Sequence, residues 1–278
     1  MSVSWLKFNT MPLKIKKLAV LSLIFFSCKT GKLKVVADIS NGLKEVSAAE
    51  IIPNSKLLWV IEDAGNQNNL YGLNKDGGIV KNIDISNVIN EDWEDLTSDA
   101  MGNIYIGDFG NNNEKRKKFS IYKVKNPAHI NDHTTADIIN FKLPDDVKSK
   151  DFEAFFLLDG YFYIFSKETK SCYLIKVPNQ IGYHIAELVT DFNLDGKHNK
   201  ITSADISDDG KTVVLLNHDK LWKLSNFEPD AFFKGKVEEL KFDHDSQKEG
   251  ICFKNNKTVL ITDEKNGTEG NNVYSFDL

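Results

Sequence analysis

The sequence predicts an all-β protein, a β-propeller of five blades with four antiparallel strands each, and three observations predict it. A unit of two apolar strands joined by a tight turn recurs five times along the chain. The units begin at Glu45, Glu94, Glu153, Asp205 and Glu249, roughly fifty residues apart, which is a blade-sized period. No window of ordinary helix length carries a 3.6-residue apolar period.

The first unit pairs residues 45–52 with 57–63 across a turn at Pro53, Asn54 and Ser55. The second pairs 92–97 with 104–108, and the third pairs 151–158 with 161–166 across Asp159 and Gly160. The fourth joins 201–207 to 212–217 across Asp208, Asp209 and Gly210, and the fifth joins 247–253 to 258–263 across Asn255 and Asn256. Asp, Asn and Gly suit such turns because they tolerate positive φ. A third strand follows each pair with an aromatic near its middle: Tyr71, Tyr122, Tyr173, Trp222 and Tyr274. Fourth strands read at about 79–85, 134–143, 184–194 and 235–243, and the fifth unit lacks one. The apolar stretch 33–40 supplies it, tying the last blade to the first and leaving no naked edge. A six-bladed arrangement is the alternative and requires a blade hidden inside an over-long repeat.

No Pro-rich or Gly/Ser-rich linker interrupts residues 33–278, so one propeller domain is expected there. The formal net charge is −5, and no basic stripe is apparent, which argues against nucleic-acid binding. Residues 11–17 form a basic stretch, and 18–26 form an apolar run too short to span a membrane but long enough for a secretory signal. That run ends at Phe25, Phe26, Ser27 and Cys28, which resembles a bacterial lipobox, although the two phenylalanines depart from its usual residues. The resemblance implies a signal peptide over 1–27, a lipidated Cys28 and a short tether over 28–32. Lys29 stands where an inner-membrane retention Asp would sit, so the implied location is the outer membrane. A plain secreted protein with a chance cysteine is the alternative. Cys172 and Cys252 fall in non-adjacent blades and are expected as free, buried thiols.

Residues 92–112, together with 59–65 and 201–210, resemble a group of bacterial envelope propellers. These are related to the SdiA-regulated proteins and, more distantly, to phytase-like and gluconolactonase-like propellers. The resemblance is specific for fold and weak for function, since its members range from hydrolases to proteins of no known activity.

Chain direction places the start of each inner strand and the end of each second strand on one face of the disk. Glu94, Asp95, Glu153, Asp205 and Glu249 are therefore expected around one mouth, with Trp93, Lys167 and His218 as further ligand-binding candidates. Asp63, Asp108 and Asp263, each ending a second strand and followed by Asn-containing loops, are the candidate metal ligands, with calcium as the cofactor. The histidines lack zinc-ligand spacing. The basic run 115–118 lies in a loop of the same face, where an anion-binding role competes with a solvated loop. Two functions follow. The first is a monomeric, membrane-anchored propeller that binds a small molecule, glycan or envelope protein at its acidic mouth. The alternative is a calcium-dependent hydrolase of an anionic ester, without a covalent-nucleophile motif.

For the anchor, Cys28→Ser is expected to abolish metabolic labelling with a fatty acid and to move the protein from the membrane to the soluble fraction. Unchanged membrane retention of that variant overturns the expectation.

Overall fold

The computed structural model describes residues 1, 30–194 and 199–278. Cys28 and the signal segment lie outside the described residues. Five blades surround an axis, and their inner strands meet in a closed ring. Blade 1 contains Val46–Glu50, Leu58–Glu62, Asn69–Leu73 and Ile79–Ile85 from axis to rim. Blade 2 contains Trp93–Ser98, Ile104–Asp108, Phe119–Val124 and Asp137–Lys142. Blade 3 contains Phe152–Leu158, Tyr161–Ser166, Cys172–Pro178 and Glu187–Phe192. Blade 4 contains Ser203–Ile206, Thr212–Leu216, Lys220–Ser225 and Lys236–Lys241. Blade 5 contains Lys248–Asn255, Thr258–Asp263 and Asn272–Asp277, and Lys34–Asp38 completes it antiparallel to the last of these.

The N-terminal strand therefore closes the ring as the repeat requires. Asn271 reinforces the join, donating its amide to Ile39 O at 3.0 Å while Ile39 N donates to Asn271 O at 2.7 Å. Two rims carry more than the expected four strands. His133–Thr134 adds in parallel to blade 1, and Gly182–Ile185 adds in parallel to blade 2, so each of these connections clips a preceding blade. Among the described residues the only helices are the single 3₁₀ turns Pro127–His129 and Phe232–Lys234.

The first and second strands are buried at nearly every position because each blade is covered on both faces by its neighbours. Buried apolar clusters fill the spaces between successive blades. Trp59, Tyr105 and Trp222 pack there, as do the buried thiols Cys172 and Cys252. Trp93 belongs to the same packing. It is fully buried between blades 1 and 2, its ring 6.1 Å from that of Tyr122, and it does not line the mouth. The residue before Glu94 must point into the interblade layer if Glu94 points out of it, since side chains alternate.

At the axis the inner strands have a free hydrogen-bonding edge, and side chains of the preceding blade satisfy it. Asp95 is the centre of this device. Its carboxylate accepts Phe155 N at 3.0 Å from blade 3, and Ala204 N at 3.1 Å and Ser203 Oγ at 2.8 Å from blade 4. Leu96 N donates to it at 3.0 Å. Ser203 Oγ in turn accepts Ile251 N of blade 5 at 3.1 Å, so one chain of bonds ties four blades. Thr97 and Asp205 repeat the pattern two residues on, accepting Leu157 N at 3.3 Å and Phe253 N at 2.6 Å. Burial pushes the Asp95 carboxyl well above the usual carboxylate range, and the bonds from Phe155, Ser203, Ala204 and Leu96 oppose that shift. Asp95 is thus a structural clasp inside the disk rather than a mouth residue.

Asp95→Ala leaves the donors from Phe155, Ala204 and Ser203 buried without their acceptor. A loss of about 3 kcal/mol or more is expected, measured as a lower midpoint in urea unfolding of the full chain. A variant as stable as wild type removes Asp95 from its central position in this account.

Candidate functional site

The mouth is built by a repeated irregularity. In four blades the inner strand bulges one residue from its start, between Val46 and Ala48, Trp93 and Asp95, Phe152 and Ala154, and Lys248 and Gly250. A bulge takes one residue out of the ladder and re-aims it. The residues so released are Ser47, Glu94, Glu153 and Glu249, with Thr202 in the matching place in blade 4. Where the residue is small it makes a structural bond to the next blade: Ser47 Oγ donates to Trp93 O at 3.1 Å, and Thr202 Oγ1 to Lys248 O at 2.8 Å. Where it is glutamate, the carboxyl goes to the mouth.

Residues one or two past the ends of the second strands supply the second set. Asp63, Lys167, His218 and Glu264 reach the mouth, while their blade 2 counterpart Phe109 is buried against Phe155. Lys167 Nζ lies 2.9 Å from Glu153 Oε1, and His218 Nε2 lies 3.1 Å from Glu249 Oε1. The carboxyls of Glu94 and Glu153 are neighbours, and after burial the charge of Glu153 is the main influence that raises Glu94. Asp63, Asp92 and Glu94 each place an oxygen within 4.8 Å of the others.

Two features bring that group together. The Asn90 amide donates to Glu62 O and Asp63 O at 2.9 Å each, while Asn90 Oδ1 accepts Trp93 N at 3.1 Å, fixing blade 1 against the start of blade 2. Gly110 leaves the necessary space. A Cβ there would stand 2.0 Å from Glu94 Oε1 and 2.5 Å from Asp92 Oδ2.

The crowding is visible in the proton affinities. Burial, then the charge of Asp63, raises Asp92 to about 6. Burial also raises Glu153 to about 8, although Lys167 and Glu94 pull it down, and raises Glu264 to about 8 with help from Glu249 and Asp63. Glu94 is pushed well above the carboxylate range by burial and then by Glu153. Burial works against the Lys167 ammonium, yet Glu153, Glu249 and Glu94 carry its pKa above that of an ordinary lysine.

Three further expectations are corrected. Asp205 opens onto the opposite mouth, where it lines a cavity of about 590 Å³ with Glu50, Thr97 and Asp208. Its counterpart in blade 1 is Glu50 rather than Glu45, and the true counterpart of Glu94 in blade 4 is Thr202, three residues before Asp205. Asp108 and Asp263 are fully buried and turn into the interblade layer. Tyr122 OH donates to Asp108 Oδ2 and Tyr274 OH to Asp263 Oδ2, both at 2.8 Å. Arg116 reaches Asp108 Oδ1 at 2.7 Å and Glu91 at 3.1 Å, so the basic run contributes a structural ion pair. Asp92 is the mouth acid that the sequence candidates leave out, although it adjoins Trp93.

No protein-family model and no curated protein matches this chain. Among solved structures it is similar to the PQQ-bound aldose sugar dehydrogenase of Streptomyces coelicolor, with 8% identity and a TM-score of 0.52. That match covers 89% of this chain and 98% of the other. It is also similar to a chain of a nidogen/laminin complex, at 11% identity and a TM-score of 0.48 over 79% of this chain and 72% of that one. A protein assigned as a gluconolactonase gives 13% identity and a TM-score of 0.48, with 89% and 92% covered. Identities this low speak to the fold alone. The protein is a five-bladed β-propeller.

A carboxyl whose folded pKa lies above its unfolded value favours the folded state most at low pH, and the benefit disappears as pH rises through the folded value. Glu153 moves from 4.5 to about 8, so its contribution declines between those limits. The melting temperature is expected to fall from pH 5 to about pH 9, and the fall to shrink when Glu94→Gln and Glu153→Gln are combined. An unchanged pH dependence in the double variant contradicts the crowded-mouth reading.

Proposed function

We propose that this chain is an envelope-anchored propeller whose acidic mouth binds a divalent cation, with calcium the best match, and through it a small polar ligand or envelope partner. The observation that carries the reading is the convergence of Asp63, Asp92 and Glu94 beneath Gly110. Carboxylate oxygens are the ligands calcium takes, and a bound cation would relieve the repulsion that now raises these groups. Glu153 and Lys167 stand beside that group and would orient a polar ligand. The anchoring part of the proposal rests on the signal-like residues 11–28.

A calcium-dependent hydrolase is a second reading, favoured by one observation. Burial raises the proton affinity of both Glu94 and Glu153, which stand at the group that would hold the metal, and a carboxyl so raised suits general acid–base chemistry. The cation would supply charge stabilisation to an anionic ester, and Glu153 would hold or release the proton.

Calcium added in hundredfold excess over its Kd is expected to stabilise the protein by about 2.7 kcal/mol, read as a rise in melting temperature that chelator reverses. Asp92→Asn with Glu94→Gln, or Gly110→Ala alone, is expected to cancel the rise. Indifference of the wild type to millimolar calcium overturns the metal reading, and calcium-stimulated turnover on a phosphoester and lactone panel selects the hydrolase.

A further inference from the structure

Blade 5 departs from the internal repeat at one buried position. The residue just before the bulge is Val46 in blade 1, Trp93 in blade 2 and Phe152 in blade 3, with Ile201 in the matching place in blade 4, all buried and apolar. In blade 5 it is Lys248, which is completely inaccessible. A lysine in an apolar slot is costly, so a local break in the pattern that is otherwise kept points to a site. Its stem fills the layer between blades 4 and 5, with Nζ 5.4 Å from the ring centre of Phe242 and 5.9 Å from that of Tyr274.

The amine ends among acceptors. Nζ lies 2.7 Å from His218 O, 3.2 Å from His244 Nδ1 and 2.9 Å from Ser246 Oγ, with His244 O further off at 3.4 Å. As an ammonium it donates to Ser246 Oγ; once it has lost a proton its two N–H groups still serve His218 O and His244 Nδ1, and its lone pair is free to take the Ser246 hydroxyl proton. Burial lowers the lysine to about 8, against the pull of Asp263, Asp245 and Asp219, so the free amine is a minor form at neutrality that grows as pH rises through that value. His244 is itself lowered, by burial and then by Lys248, and a neutral ring that accepts at Nδ1 carries its proton on Nε2 as a further donor. Ser246, unlike Lys248, is partly exposed. With His244, Asp245, Asp38, Asn41 and Glu269 it lines a cavity of about 790 Å³.

We propose that Ser246 and Lys248 are a nucleophile–base pair that hydrolyses a carboxylic ester bound in this cavity, and that the ester is polar and uncharged or cationic. Asp38, Asp245, Asp263 and Glu269 outnumber the single cation Lys265 in the wall and disfavour an anion. In the first step Ser246 Oγ bonds to the ester carbonyl carbon, its proton passes to Lys248 Nζ, and the carbonyl π pair moves onto oxygen. Collapse breaks the bond to the alkoxy group, which takes the proton from the Lys248 ammonium and leaves as an alcohol. Water then attacks the acyl–Ser246 ester with Lys248 again receiving a proton. That proton returns to Ser246 Oγ as the carboxylic acid departs. The pair uses none of Asp63, Asp92, Glu94 or Glu153, so it stands or falls apart from the mouth.

The test is labelling of the purified full chain with a fluorophosphonate, with the modified residue located by mass spectrometry, beside hydrolysis of p-nitrophenyl acetate. Labelling is expected at Ser246, to disappear in Ser246→Ala, and to accelerate with pH through about 8 as the lysine loses its proton. Two variants separate a base from a structural cation. Lys248→Arg keeps a cation for His218 O but accepts no proton. Lys248→Met restores the apolar residue type that the other four blades use. Both are expected to fold, as checked by thermal melting, and to slow labelling and hydrolysis about a hundredfold or more. No labelling of wild type, labelling at another residue, or a rate unchanged in Lys248→Arg overturns the proposal. If both lysine variants fail to fold, the Ser246→Ala result and the wild-type pH profile decide it, and a flat profile is fatal.

Discussion

Everything in this structure depends on how the free edges of five inner strands are satisfied where they meet. A blade pairs its inner strand on one side only, and the other side faces the axis, where there is little room for water. Unpaired N–H groups there would cost free energy comparable to a lost hydrogen bond each. Short polar side chains from the preceding blade solve this, with Asp95 reaching two blades at once and Ser203 passing the link to a third. Because these bonds lie inside the disk, they separate its two mouths and leave each free to carry its own charges.

The bulge at the start of the inner strands converts that scaffold into a site. It releases one side chain per blade from the ladder, and the identity of that residue decides its use. Ser47 and Thr202 remain structural, whereas Glu94, Glu153 and Glu249 accumulate charge at the mouth. Lys167 pairs with Glu153 and His218 contacts Glu249, while burial, with the repulsion between neighbouring acids, raises the proton affinity of Glu94 and Glu153. A mouth in this condition gains stability from whatever cation or proton it takes up.

Quasi-symmetry also explains why similar residues do unlike things in different blades. The last position of the second strand is Glu62, Asp108, Ser166 or Asp263 in blades 1, 2, 3 and 5. In blades 2 and 5 its carboxylate receives the tyrosine hydroxyl of the third strand. One residue further on, Asp63, Lys167, His218 and Glu264 face the mouth. Lys248 is the opposite case, a polar residue in a slot that is apolar everywhere else.

The architecture was legible in the amino-acid sequence because it rests on local rules. A fivefold repeat of paired apolar strands, Asp-Gly and Asn-rich turns, and an apolar stretch 33–40 with no partner of its own were enough to expect five closed blades. The convergence of Glu94, Glu153, Glu249, Lys167 and Asp63 followed from chain direction alone, since each marks where a strand starts or ends. What needed the tertiary structure was register and side. Strand side chains alternate with period two, so a one-residue difference sends Asp108 and Asp263 into the interblade layer and Glu264 to the mouth. A three-residue offset in blade 4 carries Asp205 to the far face. The role of Asp95, and the burial of Lys248 against His218 and Phe242 of blade 4, depend on which blades lie next to each other around the axis, and no local sequence pattern encodes that distance.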